Sequence, residues 1–237
     1  MNSIIYHANQ RGHADHGWLN SYHSFSFANY YNPERMHFGV LRVLNDDTVA
    51  AGRGFDTHSH NNMEIISIPL YGDLKHEDSE GNTEVIKQGD VQVMSAGTGI
   101  FHSEYNANSD KEVRFLQIWI FPKVKNVTPR YQQLHFKSEN RKNIFQQIIS
   151  PNPGDKGLWI HQDAWMFMSN LDIDKELQYE LKRPELNGVY IFILEGEIQC
   201  NNQLLTKRDA IAIADIERLE LKSLQKSEIL LMEIPLH

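Results

Sequence analysis

The sequence predicts an all-β protein made of two similar β-barrels, and three observations support this prediction. Short runs rich in Val, Ile, Phe and Tyr recur along the chain, while long helical periodicity is scarce. Gly, Asn and Asp residues typical of turns separate these runs. The two halves also share a layout, because the segment IISIPLYGDL, which ends at Leu74, is matched by IFILEGEI, which ends at Ile198. Many short strands at regular spacing favour a sandwich or a barrel.

The apolar runs predict four strands in each half of the chain. These strands are 38–44, 63–70, 90–94 and 113–121 in the first half, and 165–171, 189–194, 210–214 and 229–234 in the second. We expect a turn over residues 45–47 because Asn and Asp residues cluster there. Pro69 cannot donate to a sheet ladder, so its strand should lie at an edge or carry a bulge.

A polar stretch over 129–152 separates the two sets of strands and shows no clean alternation. We expect this stretch to be loop with a short helix. The sequence therefore predicts a first barrel over 1–125, a linker over 126–160 and a second barrel over 161–237.

Composition excludes several classes of function. The formal net charge is −8 and the basic residues are scattered, so phosphate backbones and anionic lipid should repel the chain. We therefore expect neither nucleic-acid nor membrane binding. No apolar run approaches the roughly 20 residues that span a bilayer. The N-terminus has no long apolar stretch, and the single Cys200 has no partner for an internal disulfide, which together favour the cytoplasm.

Two pairs of side chains predict a metal site. His58 and His60 are two residues apart, so on a strand both imidazoles leave the same face. His102 and Glu104 have the same spacing. Three imidazoles with one carboxylate suit a divalent transition metal such as Fe, Mn, Ni, Cu or Zn. Four protein ligands would leave two octahedral positions open for substrate, water or O2.

The same region resembles a known family. The segments AGRGFDTHSHNNMEII and EDSEGNTEVIKQGDVQVMSAGTGIFHSEYN resemble the first cupin domain of the pirin family. The upstream segment RGHADHGWLNSYHSFSFANYYNPERMHFGVLRVLNDD is similar to the pirin N-terminal signature. The similarity covers about half of the chain and is strongest to bacterial pirin-like bicupins, some of which are quercetin 2,3-dioxygenases. It implies two tandem cupin-type (jelly-roll) barrels.

The resemblance also implies a ligand set. It makes His58, His60, His102 and Glu104 the metal ligands. Glu64 matches a glutamate that many cupins use as a ligand but pirins do not, so we expect it in the surroundings of the site, where it would orient a histidine or bind a loop amide, with ligation as the alternative. His76 is expected to hydrogen-bond near the site. No histidine lies between Trp165 and Pro235, so we expect one metal ion in the first barrel and none in the second. Iron is the preferred metal, with Mn, Ni, Cu, Co and Zn as alternatives.

The resemblance implies a metal-dependent dioxygenase that cleaves a flavonol such as quercetin with O2. Glu104 is the candidate catalytic base, because a free carboxylate oxygen can take the substrate's hydroxyl proton. Two alternatives stay open: a metal-state sensor that regulates a protein partner, and a non-oxidative cupin enzyme that uses Zn. We expect a monomer or a weak oligomer.

The remaining candidates favour structural roles. His13, His16 and His23 have spacings that do not converge, and His161 is expected in a loop or an interface. Cys200 follows a predicted turn and is expected to be partly exposed. Five aromatic residues near the N-terminus are expected to pack in the core and in turns and not to line a substrate site: Trp18, Phe25, Phe27, Tyr30 and Tyr31.

Overall fold

The computed structural model describes residues 2–237, and nearly all of its regular structure is β-strand. The strands of the first half are β1 (Asn2–Tyr6), β2 (Gly12–Asp15), β3 (Leu19–His23), β4 (Leu41–Val49), β5 (Gly54–His60), β6 (Glu64–Tyr71), β7 (Leu74–Asp78), β8 (Thr83–Ile86), β9 (Asp90–Ser95), β10 (Ile100–Asn106) and β11 (Val113–Ile120). The remaining strands are β12 (Arg130–His135), β13 (Gln146–Ser150), β14 (Leu158–Trp159), β15 (Trp165–Leu171), β16 (Glu176–Glu180), β17 (Asn187–Glu195), β18 (Glu197–Cys200), β19 (Gln203–Thr206), β20 (Ala210–Ala214), β21 (Arg218–Ser223) and β22 (Ser227–Pro235). Two short 3₁₀ helices cover Ala8–Gln10 and Ser138–Arg141.

The strands form two barrels, each built from a seven-stranded and a four-stranded sheet. In the first barrel the orders are β12-β9-β6-β11-β4-β3-β2 and β5-β10-β7-β8. In the second they are β1-β20-β17-β22-β15-β13-β14 and β16-β21-β18-β19. The paired strands are antiparallel apart from β13 with β14. Within residues 2–237, no helix has the length and apolar character needed to cross a membrane.

The two barrels pack through their seven-stranded sheets. One hydrophobic cluster contains buried side chains from both sheets, including Leu44 and Ile118 of the first and Met166 and Leu230 of the second. Because successive side chains on a strand point to opposite faces, the alternate residues of these strands point into the barrels. The sheets are therefore buried on both faces.

The interiors of the two barrels differ in chemistry. The second barrel is filled by a large apolar cluster that includes Trp165, Phe167 and Leu231. The first barrel has smaller apolar clusters, and one row of polar residues crosses five neighbouring strands of its large sheet. The row runs through His23, Asn45, Gln117, Ser67 and Gln92. This polar row gives the first barrel an interior suited to polar chemistry.

Several sequence-based predictions can be compared directly with this fold. All eight predicted strands overlap observed strands. The bulge predicted at Pro69 is confirmed, since the pairing of β6 with β11 shifts between Pro69 and Tyr71. The turn predicted over 45–47 is wrong, because these residues lie inside β4, where Asn45 and Asp47 are buried.

The predicted linker also contains more strand than expected. Besides the short helix, residues 126–160 hold β12, which joins the first barrel, and β13 and β14, which join the second. The N-terminal β1 pairs with β20 of the second barrel. Polar edge strands such as β12 lack the alternation that marks a half-buried strand in a sequence.

Candidate metal centre

Strands β5 and β10 bring three histidines together. They pair antiparallel, with His102 opposite His58 and Ile100 opposite His60. One ring nitrogen of each of His58, His60 and His102 lies within 4.8 Å of the others. His102 is buried, whereas His58 and His60 are half-buried at the barrel mouth. The spacing of two residues on each strand produces this convergence.

The ring nitrogens that face this cluster lack protein partners. Nδ1 of His58 lies 2.8 Å from the carbonyl oxygen of Asp56 and must donate to it, which leaves the lone pair on Nε2. Nε2 of His60 and Nε2 of His102 are buried without a hydrogen-bond partner among residues 2–237. Buried polar atoms are seldom left unpaired, so these nitrogens fit a metal ion.

The protonation state of the histidines also suits metal binding. Burial, followed by the neighbouring His102 and His58, lowers the pKa of His60 to about 4. Burial, followed by His58 and His76, lowers the pKa of His102 to about 3. Both rings are therefore neutral at pH 7, which is the form that ligates a metal.

Glu104 lies beside this cluster and is firmly held. Its carboxylate lies within 4.8 Å of ligand atoms of His76 and His102, so a second group of candidate ligands shares His102 with the first. One carboxylate oxygen accepts a hydrogen bond from Ser67 Oγ at 3.0 Å, and the other accepts one from Gln117 Nε2 at 2.6 Å. Ser67 and Gln117 belong to the polar row of the large sheet, which thereby fixes the carboxylate.

His76 connects the cluster to a buried carboxylate. Its Nε2 lies 3.0 Å from Asp78 Oδ2, and its Nδ1 lies 3.5 Å from Nδ1 of His102. A carboxylate accepts, so His76 donates through Nε2 and accepts through Nδ1. His102 must then donate through Nδ1, which leaves its Nε2 lone pair for a metal. Such carboxylate–histidine contacts fix the tautomer and orientation of a metal-ligating ring.

Glu64 does not contact the three histidines and instead connects the two barrels. Its carboxylate accepts a hydrogen bond from Ser95 Oγ at 2.7 Å and another from the backbone amide of His161. His161 lies in the turn that follows β14. Burial raises the pKa of Glu64, with Ser95 and the nearby Arg130 acting against that rise.

A cavity of about 440 Å³ opens beside His58 and Glu104. Four aromatic side chains line it: Trp18, Phe27, Phe55 and Trp119. Trp18 and Phe27 thus lie on the cavity wall, and Phe25 packs in the cluster between the barrels. Their role depends on the pairing of β3 with β4, which single-sequence patterns do not reveal.

The three N-terminal histidines and Cys200 can also be compared with their predicted roles. His16 and His23 line the cavity, but within residues 2–237 neither they nor His13 belong to a group of metal-ligand atoms. The expected partial exposure of Cys200 is wrong, because its side chain is fully buried in the second barrel. Burial raises the pKa of this thiol to about 12, so it is unreactive at neutral pH.

Known proteins with similar sequences and structures identify the family. The Pirin family model matches residues 5–120, and the model of the quercetinase C-terminal cupin domain matches residues 147–234. A protein of Escherichia coli (strain K12) named quercetin 2,3-dioxygenase is 42% identical over 228 residues, which are 96% of each chain. The chain belongs to the pirin family. A pirin-like protein of Caulobacter vibrioides is 37% identical over 223 residues, covering 94% of this chain and 95% of the other.

A solved pirin structure supports the fold. The bacterial pirin YhhW from Escherichia coli, in complex with nickel(II), matches with a TM-score of 0.93 and 40% identity over 99% of each chain. The predicted bicupin architecture is confirmed, with N-terminal and C-terminal cupin barrels. The unpartnered imidazole nitrogens of this pirin-family chain form a group that suits a metal ion.

Proposed function

We propose that this protein is a metal-dependent dioxygenase that opens the ring of a flavonol such as quercetin with O2. The observation that carries the proposal is the group of three histidines, with unpartnered ring nitrogens on His60 and His102, beside an aromatic cavity of about 440 Å³. Cavities of 300–1,000 Å³ are typical of small-molecule sites. The Escherichia coli relative that bears the name quercetin 2,3-dioxygenase gives further support.

In this proposal His58, His60, His102 and Glu104 hold one divalent metal ion. Iron is our first choice, while the same donors also suit Mn, Ni, Cu, Co and Zn. When bound, the metal would supply positive charge that favours the enolate form of a hydroxylated substrate.

The chain's own residues would position the substrate and move its proton. Trp18 and Trp119, which both line the cavity, would offer faces for a planar aromatic molecule. Glu104 would accept the proton of the substrate hydroxyl at a carboxylate oxygen. Ser67 and Gln117 would keep that carboxylate aimed, since each holds one of its oxygens.

Sequence features support a proposal for where the protein works and on what kind of substrate. We propose that the protein works in the cytoplasm on a small aromatic substrate and O2. The net charge of −8 and the single cysteine support this setting.

Oxygen uptake tests the proposed function. Iron-reconstituted protein should consume O2 as quercetin disappears, and Glu104→Gln should lower kcat by about 100-fold or more because the proton acceptor is lost. Glu77→Gln is the matched control, since Glu77 is an exposed carboxylate that forms a salt bridge with Lys75. Metal-loaded protein that binds quercetin without consuming O2 would contradict the proposal.

A further inference from the structure

A second polar group lines the same cavity and plays no part in the metal centre. It consists of Ser21 and His23 on β3 with Asn45 and Asp47 on β4, and we call it the β3–β4 polar cluster. In the strand register His23 faces Asn45, and Ser21 faces Asp47. The cluster lies on the seven-stranded sheet, whereas the three histidines lie on the four-stranded sheet.

The side chains of this cluster are deeply buried, yet two of their polar atoms are unpaired. Each of the four residues is at most 4% exposed. Nδ1 of His23 and Oδ1 of Asn45 have no hydrogen-bond partner among residues 2–237. Buried unpaired atoms of this kind are rare in folded proteins and call for a partner.

The hydrogen bonds within the cluster show what kind of partner is missing. Burial raises the pKa of Asp47 to about 7, and above that pH the ionised carboxylate accepts the only hydroxyl proton of Ser21. Nε2 of His23 lies 2.8 Å from Ser21 Oγ and must therefore be the donor in that contact. Burial, followed by His13, Arg11 and His16, lowers the pKa of His23 to about 4, so the ring is neutral at pH 7. Its Nδ1 is then an acceptor.

Asn45 Oδ1 is also an acceptor, so the cluster presents two unpaired acceptors at one place in the cavity. A substrate hydroxyl group can donate its one proton to either of these atoms, and two neighbouring hydroxyl groups would supply a donor to each. The cavity that contains them also reaches His58 and Glu104. One planar ligand can therefore contact the metal centre and the cluster at once.

We propose, on the basis of the function proposed above, that the β3–β4 polar cluster binds a second hydroxyl group of the substrate, remote from the group held at the metal centre. The protein would then select aromatic substrates with hydroxyl groups on more than one ring. A site built to hydrogen-bond a hydroxyl discriminates strongly against an analogue without it, because its polar atoms are left unpaired.

A binding comparison tests this inference. The two probes are quercetin and 3-hydroxyflavone, which keeps the 3-hydroxyl and the 4-keto oxygen but has no other hydroxyl. Their affinities for the metal-loaded protein are measured by calorimetry under nitrogen, so that no turnover occurs. The variants are His23→Phe, which removes both ring nitrogens, and Asn45→Leu, which leaves the contacts of His23 with Ser21 in place.

The wild type should bind quercetin at least about tenfold more tightly than 3-hydroxyflavone. Each variant should bind quercetin about tenfold more weakly and 3-hydroxyflavone with little change. His37→Phe is the control, because His37 is exposed and does not line the cavity. The inference would be overturned, with the proposed function untouched, by either of two results. The wild type could bind both probes with equal affinity, or each variant could lose affinity equally for both probes. Failure of the wild type to bind either probe would overturn the proposed function as well.

Discussion

At the scale of single residues, the site depends on which nitrogen of each ring is free. His102 contacts His76, and His76 contacts Asp78, so the orientation of one candidate ligand depends on a carboxylate two contacts away. The sequence predicts the ligand positions from spacing and family resemblance. It does not show Asp78 in this role, because that role depends on the pairing of β7 with β10, where Asp78 lies opposite His102.

Asp78→Asn should therefore weaken metal binding while the fold is kept. Loss of the carboxylate removes the acceptor that fixes His76, and outer contacts of this kind are typically worth about 10–100-fold in metal affinity. Competition against a chromophoric chelator measures the change, with circular dichroism as the check on folding. Glu77→Gln on the same strand should bind metal as the wild type does. A folded Asp78→Asn variant with unchanged affinity would exclude the role of His76 in orienting His102.

The metal-free protein should lose stability in mild acid. The pKa values of His23, His60 and His102 are lowered to about 4, 4 and 3 respectively, so between these values and 6.5 the rings bind protons only after unfolding. The contribution of these neutral rings to the free energy of unfolding is complete above pH 6.5 and is lost as the pH falls. Asp47 acts in the opposite direction, since burial raises its pKa to about 7 and its contribution to stability decreases as the pH rises from 4 to 7.

Burial also raises the pKa of Glu64, which acts in the same direction as Asp47. We expect the three histidines to outweigh these two carboxyl groups, so that the net effect of acid is destabilising. We expect the free energy of unfolding to fall by about 2 kcal/mol between pH 7.5 and pH 5, with allowance for solvent screening at the half-buried His60. Urea unfolding of chelator-treated protein at the two pH values measures it. Equal or greater stability at pH 5 would show that these rings are not held neutral.

At the scale of the strands, the sequence is informative where a strand is apolar and uninformative where function makes it polar. All eight apolar strands are found from the pattern. Residues 45–47 of β4 resemble a turn because Asn45 and Asp47 line the cavity beside the candidate metal centre and do not pack in an apolar core. The pairing of β1 with β20 joins residues more than 200 positions apart, and no local pattern encodes it.

The turn between β9 and β10 is an element whose backbone geometry supports the site. Gly97 has a φ of +48°, and a Cβ atom there would lie 2.0 Å from the carbonyl oxygen of Val127. Its own carbonyl accepts a hydrogen bond from the backbone amide of Asn62, next to β5. The turn thus joins the ends of the two strands that carry the three histidines.

Gly97→Ala should destabilise the protein far more than Gly52→Ala. Both glycines have positive φ, but a Cβ at Gly52 would meet nothing within 4 Å. Left-handed backbone strain alone costs about 1–2 kcal/mol, which is the whole effect expected at Gly52. At Gly97 the clash with backbone adds to it, and we expect a total above about 3 kcal/mol. Urea unfolding measures the free energy of unfolding of the two variants. An equal decrease in both would argue against the tight turn at Gly97.

At the scale of the whole molecule, two barrels of similar layout have different interiors. The second barrel is filled with apolar side chains and has no histidine between Trp165 and Pro235, whereas the first keeps a polar row and a cavity. The shared apolar cluster and the hydrogen bond from the backbone amide of His161 to the Glu64 carboxylate hold the barrels together. We therefore propose a structural role for the second barrel and a metal site in the first.

The metal content of the purified protein tests this assignment most directly. Elemental analysis of the wild type should give one transition-metal ion per chain. His58→Ala and His102→Ala should each lose most of it while remaining folded, because each removes one of the proposed imidazole ligands. His37→Ala, which changes an exposed histidine that bonds to the carbonyl of Gly39, should keep it. Full metal content in both ligand variants, or two ions per wild-type chain, would contradict a single site in the first barrel.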